Sequence, residues 1–200
     1  MSQPARLPRL ILASTSRYRS ELLARLGLPF EARAPDAPEL AIPGEAPAAM
    51  AARLALAKAR SLRATDAIVI GSDQVASLAG QLLRKPGNHT TAVAQLVACQ
   101  GKTVVFDTAV AVIDLRTGVT LEHVDRTAVR FATLPTAALE HYVQREQPLD
   151  CAGSFKSEGL GVALFERIDS SDPTALVGLP LIFVARALRE LGLDPLGPTS

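Results

Sequence analysis

The stretch Leu10–Leu23, LILASTSRYRSELL, decides the fold class. Its first four residues are continuously apolar, the mark of a strand buried on both faces. Ser14-Thr15-Ser16 breaks the run with hydroxyl side chains, and from Arg17 the pattern turns helical, ending at Gly27. A strand feeding a hydroxyl turn and then a helix presents free backbone N–H groups at the positive end of a helix dipole, which suits an anion. Arg17 and Arg19 in the first helical turn are unfavourable for the helix itself, and a bound anion relieves that conflict. An ordinary N-cap with two solvated arginines explains the same residues and stays open at this point.

The rest of the chain extends this strand–turn–helix beginning. Phe30–Ala34 reads as a second short strand, and Pro35–Pro47 as a proline-rich loop carrying Asp36, Glu39 and Glu45. Ala48–Arg63 is helical. There Met50, Leu54 and Lys58 recur every four residues, so Lys58 lies near the apolar stripe, either as a snorkelling stem or as an ammonium aimed into a cleft. Ala67–Ile70 is a buried strand that Gly71-Ser72-Asp73-Gln74 is expected to end. That would place Asp73 just past the strand's carboxyl end, where α/β folds gather ligand and catalytic groups. A hairpin from Val75–Leu78 to Leu82–Arg84 turns at Gly80 and closes at Lys85-Pro86. Asn88 caps a helix through Val97.

Thr103–Leu115 and Val119–Phe131 read as two long strands joined at Thr117-Gly118, and Pro135–Arg145 as a helix. The loop Cys151–Glu166, CAGSFKSEGLGVALFE, is dense in glycines, donors and acceptors and leads into a strand over Val162–Ile168. The last helix runs to about Leu191 before Gly192. Alternating strands and helices followed by a long ribbon predict an α/β fold. Its expected form is a mixed twisted sheet flanked by helices, two lobes around a central cleft, with the 200 residues as one domain.

Composition narrows the function. With 48% hydrophobic residues the chain has material for a core, and a net charge of +1 gives no global pull toward polymeric nucleic acid or an acidic membrane. Aromatics are 4% with no Trp, too few for a stacking platform along a single strand. Cys99 and Cys151 have no CxxC spacing, which argues against zinc and a disulfide framework and fits a reduced, cytoplasmic setting. Arg9 interrupts the N-terminal run MSQPARLPRLILAS too early for a signal segment, and no window approaches a membrane span.

Four segments taken together resemble the Maf family of nucleoside triphosphate pyrophosphatases, over about Leu10 to Leu191. They are Leu12-Ala13-Ser14-Thr15-Ser16 with Arg19 and Glu21-Leu22-Leu23; Gly71-Ser72-Asp73-Gln74 with Lys85-Pro86; Cys151–Gly159; and Asp172-Pro173 with Leu176–Pro180. The resemblance implies a fold related to inosine triphosphate pyrophosphatases, a homodimer, and a divalent metal. It implies cleavage of the α–β phosphate bond of a small-molecule nucleotide. It also brings a second class, a septum-formation regulator of cell division acting by protein binding. The chain departs from the family at Arg17, where Pro is usual, at Pro38, where an acidic residue is usual, and at Ala109, where Gly is commoner.

On that resemblance Ser14, Arg19, Lys58 and Lys85 hold the phosphates, and Asp73 activates the attacking water. Glu39 and Asp73 supply oxygens for Mg²⁺ or Mn²⁺, hard ions that keep some waters. Family members divide at three positions, here Tyr18, Gln74 and Glu158, and this set resembles the group acting on 7-methyl-GTP rather than on UTP or dTTP. Base chemistry points the same way. Guanine presents N1–H and the N2 amino group side by side, and a carboxylate accepts both; N7 methylation adds positive charge that stacks on a tyrosine. A packed helix tyrosine and a solvated loop glutamate are the bland readings of Tyr18 and Glu158.

Overall fold

A computed structural model describes residues 7–40 and 42–197; of the N-terminal run read above as no signal segment, residues 1–6 lie outside it. The chain runs β1 (Arg9–Ala13), α1 (Arg17–Ala24), β2 (Phe30–Arg33), α2 (Pro47–Ser61), β3 (Ala67–Leu78), β4 (Gln81–Leu83), α3 (His89–Cys99), β5 (Thr103–Asp114), β6 (Thr120–Phe131), α4 (Thr136–Glu146), β7 (Phe165–Asp169) and α5 (Leu181–Glu190). Seven strands form one mixed sheet in the order β2-β1-β3-β5-β6-β7, with β4 also on β3. β2, β1 and β3 are parallel, and the β3–β5–β6–β7 run is antiparallel. No helix among the described residues is long and apolar enough to cross a membrane.

β3 corrects the sequence reading. Gly71-Ser72-Asp73-Gln74 does not end a strand at Ile70; β3 runs unbroken for 12 residues, paired with β5 from Ile68↔Asp114 to Leu78↔Val104. The polar residues survive mid-strand because each finds a lateral partner. Ser72 Oγ donates to the Ala109 and Gly178 carbonyls, Asp73 meets Lys58, and the Gln74 amide has three acceptors. What ends beside Asp73 is β1, whose last register pair is Ala13↔Gly71. β4 joins the same edge of β3 only at Ala76↔Leu83. Residues 72–75 therefore lack a strand partner on that edge, and the sheet has a notch there.

The second correction is β7, which starts at Phe165 rather than Val162. Leu160–Leu164 forms a 3-10 turn, because Gly161 packs onto the Lys156 backbone so closely that a Cβ would lie 2.3 Å from its carbonyl oxygen.

Side-chain alternation along β3 and β5 sorts the core by face. On one face Ile68, Ile70, Val110 and Val112 pack with β1, α1 and α5. Farther along the same face Ala76, Val104 and Phe106 pack with α3, α4 and Phe155. Between these two clusters lie Ser72, Gln74 and Thr108, and there the Asp172–Pro180 segment inserts its carbonyls. The opposite face belongs to α2, through Ala51, Ala55 and Ala59 against Val69, Val75, Ala109 and Ala111. Gly71 allows α2 to lie on the sheet. A Cβ there would fall 2.3 Å from the Ala55 carbonyl oxygen and 2.6 Å from the Ala59 amide nitrogen. The two lobes expected from sequence are thus two apolar clusters on one sheet, divided by the notch.

Candidate active site

A cleft of about 840 Å³ occupies the notch. Ser14, Tyr18, Arg19, Glu39, Lys58, Asp73, Gln74, Lys85 and Glu158 all line it. Asp73 and Gln74 are adjacent in β3 and so point to opposite faces, yet both reach the cleft, because the notch joins the two faces.

The wall from β1 to α1 is a donor cradle. Ser14 is buried, and its Oγ accepts the Ser16 amide at 3.1 Å. Ser16 caps α1 by accepting the Arg19 amide at 3.4 Å. Four backbone amides open a helix and one side chain cannot satisfy them all, so this end retains donor capacity toward the cleft. The two arginines diverge. Arg17 points outward, pairs with Glu21 at 3.3 Å and stacks over the Tyr18 ring at 5.3 Å. Arg19 turns inward, and its Nε donates to the Gly178 carbonyl at 2.9 Å. Only part of its surface stays open, and enclosure pulls its guanidinium below the ordinary arginine value, opposed by the charges of Asp73 and Glu39.

On the α2 side sits an ion triad. Lys58 is 6% exposed and Asp73 8%. Lys58 Nζ donates to Asp73 Oδ1 at 2.6 Å and pairs with Glu39 Oε1 at 2.5 Å. Burial pushes the Asp73 carboxyl above the ordinary aspartate value despite Lys58 and Arg19, and Glu39 adds to the push. Glu39 moves the other way. The Lys58 hydrogen bond holds it below the usual glutamate value, with Lys85 and Arg19 contributing charge. Arg53 on α2 fixes the Glu39 loop, donating to the Leu40 carbonyl at 3.0 Å and making two bonds to Glu45.

The far wall is the loop that follows α4. Ser154 Oγ donates to Gln95 Oε1, and Gln95 Nε2 donates to the Arg84 carbonyl, which ties this wall to the segment carrying Lys85. Lys156, the loop's one cation, is turned away: its Nζ donates to the Glu146 carbonyl at 2.7 Å, and its backbone amide to Tyr142 Oη. Glu158 is exposed at the rim. The Tyr18 phenol is pushed above its ordinary value, first by burial and then by Cys151, with Glu158 and Asp150 adding and Lys156 opposing. Tyr18 and Glu158 line the same cleft. Cys151 in the same wall is pushed up to about 12 by burial, so it stays a thiol rather than a nucleophile.

Sequence reasoning missed several supports. Gly178 lends one carbonyl to both Arg19 and Ser72. Asp172 accepts the Thr174 and Ile182 amides, holding the inserted segment to the start of α5. Thr108 fixes Gln74. A lone threonine in VVFDTAVAVID was the only signal for Thr108; Asp172 and Gly178 stand in a segment that carries the family resemblance, but their bonding roles are not legible there.

Comparisons with known proteins place the chain among relatives. The family described as Maf-like protein matches residues 9–191. The 7-methyl-GTP pyrophosphatase of Albidiferax ferrireducens is 53% identical over 199 residues, spanning 98% of this chain and 100% of its own. The 7-methyl-GTP pyrophosphatase of Burkholderia thailandensis is 54% identical over 191 residues, covering 93% and 89%. That of Thiobacillus denitrificans is 51% identical over 191 residues, covering 94% and 95%.

Proposed function

The chain belongs to the Maf family, and on that premise we propose that it hydrolyses 7-methyl-GTP to 7-methyl-GMP and pyrophosphate. The observation that carries this reading is the position of Asp73. A buried carboxylate stands in a notch of the sheet, between the cations Arg19 and Lys58 and beside the α1 amides. That is a base set against an anion cradle.

The triphosphate lies along the α1 N-terminus. Ser14, the turn amides and Arg19 hold it from one side, and Lys58 and Lys85 from the other. Asp73 takes a proton from the water that attacks the α-phosphorus. The bond from that phosphorus to the α–β bridging oxygen breaks, and pyrophosphate leaves. Lys58 opposes the rise that burial imposes on the Asp73 carboxyl, and its ammonium lies in the cleft wall within reach of the phosphates.

A divalent cation fits the donor set. Glu39 and Asp73 offer two hard carboxylate oxygens that already converge on one ammonium, and no third His, Cys, Asp or Glu joins them among the described residues. An ion of the Mg²⁺ or Mn²⁺ type takes such a pair and fills its shell with phosphate oxygens and water. When bound, it neutralises triphosphate charge as the leaving group departs. At the other end Tyr18 stacks on the cationic base and Glu158 accepts its paired N–H groups. Arg17 lies over the Tyr18 ring and moves aside for the base. We also propose that the protein acts as a homodimer in the cytoplasm.

The test is a screen of the purified chain against 7-methyl-GTP, GTP, UTP and dTTP with Mg²⁺ or Mn²⁺, following pyrophosphate release. The highest kcat/KM is expected for 7-methyl-GTP. Preference for UTP or dTTP removes the substrate assignment and leaves the pyrophosphatase.

A further inference from the structure

We propose that Thr108 is a positioning residue that locks Gln74 as a hydrogen-bond acceptor toward the nucleotide base, and so sets base selectivity without touching the base. This rests on the reading of the cleft as a nucleotide site. The two hydrogens of Gln74 Nε2 are shared among three acceptors, Thr108 Oγ1 at 2.9 Å, the Leu176 carbonyl at 3.0 Å and the Ala175 carbonyl at 3.1 Å. The Thr108 hydroxyl spends its own hydrogen on the Ala175 carbonyl at 3.0 Å, so it meets Gln74 with a lone pair. Every group around Nε2 is therefore an acceptor. Turned over, the amide would set its oxygen against two carbonyls and the Thr108 lone pair, and Thr108 is 0% exposed. Chemistry closes that orientation.

The orientation leaves one polar atom free. Gln74 Oε1 has no hydrogen-bond partner among the described residues, whereas no buried side-chain oxygen or nitrogen among them lacks one. Oε1 is thus open to solvent, and the space Gln74 lines is the cleft. An incoming base meets an acceptor there. A base edge with a further N–H donor, such as the second hydrogen of the guanine amino group once Glu158 has taken N1–H and the first, is matched. An edge with a carbonyl in that place, as in uracil, meets a lone pair with no counter-donor. Without the Thr108 hydroxyl the amide loses its shortest bond; the two carbonyls still oppose reversal, but Oε1 is no longer held in one place, and the distinction blurs.

Thr108→Val removes the hydroxyl at nearly constant volume, and Thr108→Ser keeps it. The readout is the ratio of kcat/KM for 7-methyl-GTP to that for UTP. The valine variant is expected to lose roughly tenfold of this ratio, mostly through KM, and the serine variant to keep the parent's ratio. An unchanged ratio in folded Thr108→Val, or an equal loss in Thr108→Ser, overturns the proposal. Thr108→Ala asks the same question if the valine variant does not fold. The Gln74 side-chain amide resonance of the unliganded protein separates this proposal from the substrate reading. Its hydrogens should exchange slowly in the parent and faster in Thr108→Val, and equal exchange in both overturns the lock. A slow, hydroxyl-dependent exchange in a protein that prefers UTP supports the lock and removes only the substrate assignment.

Discussion

Asp73 and Gln74 are neighbours in sequence and belong to differently built halves of one cleft. The Asp73 half is assembled from regular elements, the end of β1, the start of α1 and the body of α2, and its central ion pair, Lys58 with Asp73, is buried. The Gln74 half is assembled from loops, Asp172–Pro180 and Cys151–Glu158, and its one base-reading charge, Glu158, is exposed. The difference follows from what each half must do. Phosphate chemistry needs charges held against their own desolvation, which takes rigid elements. Choosing among bases needs a few oriented donors and acceptors, which loops anchored by backbone carbonyls supply.

If the halves divide labour this way, substitutions should separate them. The largest effect is expected at Asp73. Asp73→Asn keeps the shape and removes the base, and kcat should fall on the order of 10³-fold with all nucleotides alike, while the thermal midpoint confirms folding. A variant that retains turnover, or that loses only 7-methyl-GTP, breaks the comparison.

Lys58→Met comes next and should cost both stability and activity. Removing the ammonium leaves Asp73 buried without its nearest cation, at about 3 kcal/mol near neutral pH. The sign is fixed by Asp73. Burial already raises its folded-state pKa, and losing Lys58 raises it further, so the acid limb of the rate profile moves to higher pH. A carboxyl raised on folding opposes stability only when ionised. The deficit of the variant should therefore shrink as pH falls through the raised value. Denaturant midpoints across pH test this, and a deficit that grows on acidification contradicts the assignment.

Glu158→Gln should give the smallest effect. The residue is exposed, so folding is unaffected, and preference for 7-methyl-GTP over UTP should fall about tenfold with little change in kcat. A fall in kcat with no change in preference would move Glu158 into the phosphate half.

The two halves were also unequally legible. The phosphate half was readable because strand–turn–helix is a local pattern, and Ser14, Arg19 and the spacing of Lys58 sit within short windows. The strand through Asp73 was cut short because its polar residues look like a strand end. Their partners, Ala109, Gly178, Lys58 and Thr108, are contributed by β5, α2 and a loop far along the chain, and no local window contains them. Glycines 153, 159 and 161 marked the base-side loop as tightly packed. They did not show that Lys156 would be turned to cap α4, since that depends on where α4 ends in space.

One glycine reaches further than its size suggests. Gly71 touches no ligand, yet it sets how far α2 stands from β3, and Lys58 hangs from α2 while Asp73 hangs from β3. The spacing of the ion triad is thus a mechanical tolerance, fixed by backbone lying on backbone. Adding one methyl group at position 71 would detune the site from behind, with every residue that faces the nucleotide still in its original form.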